Sequence, residues 1–128
     1  METIATSLGI AAGGLTLFCC AGYPLRKAMK SLDGSKRDGA RRMLKYVKGH
    51  HKEAGIAAAA CAGGHLVLNA AVVHHMSLLG ISLVAVLALL LRGGLCRSRE
   101  NWLHVHRTLA ALAAGILALH TITMLAWR

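Results

Sequence analysis

HKEAGIAAAACAGGH, residues 51–65, and HRTLAALAAGILALH, residues 106–120, are two stretches of small and apolar residues, each opened and closed by a histidine. Fourteen residues of α-helix rise about 21 Å and turn a net of about −40°. His51 and His65 therefore share one helix face, and His106 and His120 share one face of another. Each helix carries two stacked imidazoles near its two ends.

The sequence around them is that of a membrane protein. The chain has 128 residues, is 55% hydrophobic and has a mean hydropathy of +0.53, more apolar than soluble domains of this size. Four apolar stretches run Ile4 to Tyr23, Ile56 to Val73, Leu78 to Leu91 and Leu109 to Trp127. A helix needs about 20 apolar residues to cross the hydrocarbon core. The first and fourth qualify directly, the second if it begins near Glu53, and the third if it extends through Gly93 and Gly94 towards Cys96. The expectation is an all-α, integral membrane four-helix bundle: a single domain, 1–128, with spans at 4–25, 52–74, 77–95 and 102–127 and a basic cytoplasmic loop at 26–51. The start, Met1-Glu2, has no basic region of the kind that opens a signal peptide. Although Ala21-Gly22 mimics a cleavage site, Pro24 and the basic run after it fit a retained first helix.

Charge sets the expected orientation. Ten of the fifteen Lys and Arg lie between Arg26 and Lys52, and Arg92, Arg97 and Arg99 border the connection between spans three and four. In a soluble protein a net charge of +10 would read as a nucleic-acid footprint; beside apolar spans it reads as cytoplasmic loops. The connection His74-His75-Met76-Ser77 has no Lys or Arg. Both termini are expected outside and both basic loops inside, in a bacterial or archaeal cytoplasmic membrane. The basic segment suits anionic lipid or an acidic soluble partner equally.

Within the basic segment, Ser31 to Ser35 reads as a turn. Ala40 to Lys48, with Met43, Leu44, Tyr46 and Val47 among Arg41, Arg42, Lys45 and Lys48, reads as a short amphipathic helix at the membrane interface. The third span, rich in Leu and Val, is expected to face lipid. Gly and Ala from Ala54 to Gly64, and again at Ala110, Ala111, Ala113, Ala114, Gly115 and Ala118, permit close helix packing and equally leave room for a flat macrocycle; both can hold together.

With this topology spans two and four run parallel, which levels His51 with His106 and His65 with His120. Ionisable residues inside a span are costly and tend to be functional. Imidazole is a normal axial ligand of haem iron, and two per iron favour electron transfer over oxygen binding. Zinc wants three or four protein ligands on one ion, and two per level are too few. His50 and His104 lie about 60° and 160° off the faces of His65 and His120 and fit worse. They border the inner surface, as His74 and His75 border the outer one, where a propionate, a quinone or a partner could be met. Lys52 and Arg107, beside His51 and His106, are candidate propionate partners or simply snorkel to the headgroups. Trp102 and Trp127 bracket the last span as interfacial anchors. Cys19, Cys20, Cys61 and Cys96 form no framework and no C-x-x-C-H, which excludes covalent haem; they read as small buried residues.

His51-Lys52-x-x-Gly55, followed by His65 and Asn69, resembles the first haem helix of the ferric reductase-like transmembrane family. Trp102-Leu103-His104-Val105-His106-Arg107, followed by Leu109 and His120, resembles its second, with Val105 where that family has Leu. The resemblance spans residues 49–75 and 102–125. It implies two non-covalent b haems, held by His51 with His106 and by His65 with His120. Members commonly have six spans and a flavin- and NADPH-binding domain. This chain has room for four and ends at Arg128, so donor or acceptor chemistry is expected on flavin, iron–sulfur or multihaem subunits. Four-helix dihaem cytochromes b of respiratory enzymes are similar in architecture. The expected function is transmembrane electron transfer as a subunit of an oxidoreductase complex. The alternatives are a quinone-reactive anchor subunit and a haem-free scaffold or metal transporter.

Overall fold

The computed structural model describes residues 2–73, 78–95 and 101–126, and these are entirely helical apart from turns. The elements are α1 (Glu2–Cys20), α2 (Gly22–Ala28), α3 (Gly34–Val73), α4 (Leu78–Leu95) and α5 (Trp102–Ala126). Glu2–Cys20, Gly34–Ala71 and Trp102–Ala126 are long and apolar enough to cross a membrane, and Leu78–Gly93 is a shorter apolar helix. His74, His75, Cys96, Arg97, Arg99 and Trp127, given roles above, lie outside the described residues.

Pro24 explains the break between α1 and α2. It has no N–H to offer the carbonyl four residues back, that of Cys20. The chain tightens there, with Ala21 N–H donating to Phe18 O at 3.2 Å, before Leu25 N–H resumes helical bonding to Ala21 O at 3.1 Å. The expected turn follows. Ser31 caps Ala28 O through both its N–H (3.0 Å) and its hydroxyl (2.9 Å). Gly34 then adopts φ 53°, a left-handed conformation that glycine enters without steric cost. α1 and α2 thereby fold back antiparallel along α3.

The segment at 26–51 is helical over most of its length, where an interfacial piece separate from span two was expected. α3 runs unbroken for 40 residues, about 60 Å, and Gly49 does not interrupt it. A single glycine costs a helix only about 1 kcal/mol, and Leu44 and Val47 are buried against the returning α1–α2 segment.

Small residues set the packing of α1 on α3. Ala5, Ala12 and Thr16 are buried on α1, and Ala54, Ala58 and Ala62, one turn apart, are buried on α3. The Thr16 hydroxyl is satisfied by Ala12 O at 2.8 Å. Leu83, Val86 and Leu87 of α4 fill the centre against Ala12, Ala62 and Ala113. α4 was expected to face lipid. Instead one of its faces supplies the bulky core side chains, because its neighbours bring alanine there; Leu78 and Leu89 remain exposed.

α1 packs on α3 and α5, and α4 packs on α3 and α5. Among the described residues, α3 and α5 bring no Cα atoms within 8 Å of each other. The two helices that carry the paired histidines are thus held by common neighbours with a gap between them.

Candidate functional site

Two histidine pairs bridge that gap. The His51 and His106 rings have centroids 5.8 Å apart at 68°. Those of His65 and His120 are 6.5 Å apart at 82°. Both pairs are separated by 55 residues in sequence (106 − 51 and 120 − 65), so α3 and α5 run parallel in constant register. The two levels lie about 21 Å apart along the helices.

A metal–imidazole bond is about 2 Å, so rings at these separations are near enough for both members of a pair to be drawn onto one ion. His106 Nδ1 and His120 Nδ1 are buried with no hydrogen-bond partner among the described residues. A buried nitrogen left so costs about 1–3 kcal/mol. The donor set, two imidazoles per level across a gap, fits haem. No three of His, Cys, Asp and Glu converge among the described residues, so neither level offers the three or four protein ligands that zinc takes.

The His65/His120 pair is the more closely held. His65 Nδ1 lies 2.7 Å from Ala5 O. A carbonyl can only accept, so the ring proton sits on Nδ1 and Nε2 keeps its lone pair, the tautomer a metal ligand requires. Asn69 Nδ2 donates to that Nε2 at 3.1 Å and to His65 O at 3.0 Å. A metal at Nε2 would displace the first bond and leave the second. The Nδ1–Cε1 edge of the ring also presses on α1: a Cβ at Gly9 would stand 2.8 Å from His65 Cε1 and 2.9 Å from Nδ1. Gly9 and Ala5 are site residues that reading the sequence missed. Their only trace was a stripe of small residues, Ala5, Gly9, Ala12 and Thr16, at helical spacing on α1.

At the other level Trp102 does more than mark an interface. Its ring stands 5.3 Å from that of His106 and covers Gly93 of α4, where a Cβ would overlap the indole. The Cys19 thiol donates to His51 O at 3.7 Å and the Cys20 thiol to Ala110 O at 3.8 Å, so adjacent cysteines tie α1 to both histidine helices. His50 turns away onto Tyr46, ring centroids 4.5 Å apart, and His104 is exposed. Lys52 and Arg107 are exposed one residue beyond His51 and His106.

No family model, curated protein or solved structure matches this chain.

Proposed function

We propose that this chain is a transmembrane four-helix cytochrome b that binds two non-covalent haems and relays electrons between partners on the two membrane sides. The observation that carries the reading is the pair of cross-helix imidazole couples, 5.8 and 6.5 Å apart, in one register on helices that otherwise stay apart. Bound at these pairs, haem would supply reversible one-electron chemistry.

The chain's own residues do the rest. His51 and His106 hold one level, His65 and His120 the other. Ala5 O fixes the tautomer of His65. Leu83, Val86, Leu87 and the core alanines keep water from the space between levels, and a low dielectric sharpens the control of potential. Lys52 and Arg107 are placed to receive the propionates of the level beside them. Exposed Ile10, Leu17, Val67, Leu119, Ile122 and Leu125 suit a surface surrounded by lipid hydrocarbon. The basic segment favours a cytoplasmic position for the α2–α3 turn. The likeness of α3 and α5 to the haem helices of ferric reductase-like proteins points the same way. Flavin, iron–sulfur or multihaem subunits are the partners this role requires, and a quinone is a chemically suitable acceptor.

The test is a reduced-minus-oxidised absorption spectrum with extracted haem counted per chain. The expected result is two b haems with low-spin bands. A folded sample made with ample haem that contains none refutes the proposal.

A further inference from the structure

The N-terminal half of α3 carries Arg37, Arg41, Lys45, Lys48 and Lys52, spaced four, four, three and four residues apart. On a helix these fall within an arc of about 80° and form one ridge about 22 Å long. All five are exposed. Asp38 meets the ridge only at its far end, 3.9 Å from Arg41, with both side chains more than half exposed. Like charges one turn apart repel, so the ridge is a face that folding alone does not favour. The arm is braced along one flank of the ridge. Leu44 and Val47 are buried, and Phe18 packs edge-on against Tyr46 at 6.1 Å. The ridge ends at Lys52, beside His51.

We propose that this ridge is the docking surface for a soluble, acidic electron-carrier protein that exchanges electrons with the His51/His106 level. The inference rests on the electron-transfer reading for its purpose, but not for its contacts. Charge complementarity names an acidic partner, and the direction of the ridge separates protein from lipid. The ridge runs along α3, hence along the membrane normal when α3 spans. Centring the hydrocarbon, about 30 Å thick, on the midpoint of His51 and His65 places its edge near residue 48. The headgroup layer, about 5–7 Å deep, then ends near residue 44. Arg41 and Arg37 stand in water beyond it. Lipid can neutralise Lys45, Lys48 and Lys52; only a soluble body can meet Arg37 and Arg41. Such a body, seated on Arg37 and Arg41, rests on the headgroups near residue 44, about 10 Å along α3 from His51.

The experiment uses the full chain in phosphatidylcholine vesicles and an acidic [2Fe–2S] ferredoxin as the probe. Water-soluble amine acylation, read by mass spectrometry, reports the exposure of Lys36, which is exposed beside Arg37, and co-sedimentation reports affinity. The ferredoxin is expected to protect Lys36 several-fold. Arg37→Glu/Arg41→Glu is expected to weaken binding about tenfold, and rising salt to abolish it. Phosphatidylserine added in place of the ferredoxin is expected to leave Lys36 acylation unchanged. Absence of protection, equal binding by the variant, or protection of Lys36 by phosphatidylserine overturns the proposal, the last in favour of a lipid-bound arm. None of these readouts uses haem. A chain without haem would end the electron-transfer reading and leave the docking result to stand or fall separately.

Discussion

Replacing Gly9 with alanine tests the outer site with a single methyl group. The new Cβ would sit 2.8 Å from His65 Cε1 and 2.9 Å from Nδ1, closer than non-bonded atoms stand. His65 must move off α1, and its 2.7 Å bond to Ala5 O is lost or stretched. Overpacking costs about 1–3 kcal/mol and the hydrogen bond about 0.5–1.5 kcal/mol. Alanine returns about 0.5–1 kcal/mol of helix preference. The net is about 0.5–4 kcal/mol, or roughly 2- to 900-fold in the affinity of the His65/His120 pair for haem. Gly14→Ala is the control: it lies on the same helix with no atom within 4 Å of its would-be Cβ, and is expected to be neutral or slightly stabilising. The assay is haem retention per chain under dilution, with the His65 imidazole shifts followed by NMR in haem-free protein. Equal haem retention and equal His65 shifts in the two variants would refute the placement of His65 against Gly9.

Other substitutions probe the remaining parts. His120→Ala is expected to remove one haem and leave the His51/His106 spectrum intact; loss of both, with the chain still helical by circular dichroism, would contradict two separable sites. Ala58 is 1% exposed, so Ala58→Leu should force α1 and α3 apart at a cost of about 1–3 kcal/mol, read as a lower thermal midpoint. An unchanged midpoint would mean the α1–α3 seam is not close-packed there. Trp102→Ala removes the cover over Gly93 and the ring beside His106, and is expected to weaken haem retention at that level alone, as shown by which haem's optical bands fade first. Haem-starved protein should keep the helix content of the loaded form by circular dichroism, because α1 and α4 hold α3 and α5; a large loss of helix would show that haem builds the frame.

The histidine pairing was legible because it follows from one number, the helical repeat: fourteen residues return a side chain to its own face. The facing of α3 and α5 required only that both start on the same side, which the Lys and Arg distribution implies. Other features were not local and left no local mark. The cost of Gly49 is small beside the burial of Leu44 and Val47, and that burial depends on the chain folding back at Gly34. Nothing in α4 says that its Leu and Val will face alanines rather than lipid, since that depends on what its neighbours lack. The contact of His65 with Ala5 and Gly9 joins residues about 60 apart, and glycine records a close approach without naming what approaches. Trp102 carries the composition of an interfacial anchor, and only the position of Gly93 shows where its ring rests.

The separation of α3 from α5 bears on how such a protein would be assembled. Neither helix holds the other directly: α1 and α4 set the distance between them. A group entering at either level would have to part rings that stand 5.8 and 6.5 Å apart, so the common neighbours decide how far α3 and α5 can separate, and the two levels, about 21 Å apart, can respond independently.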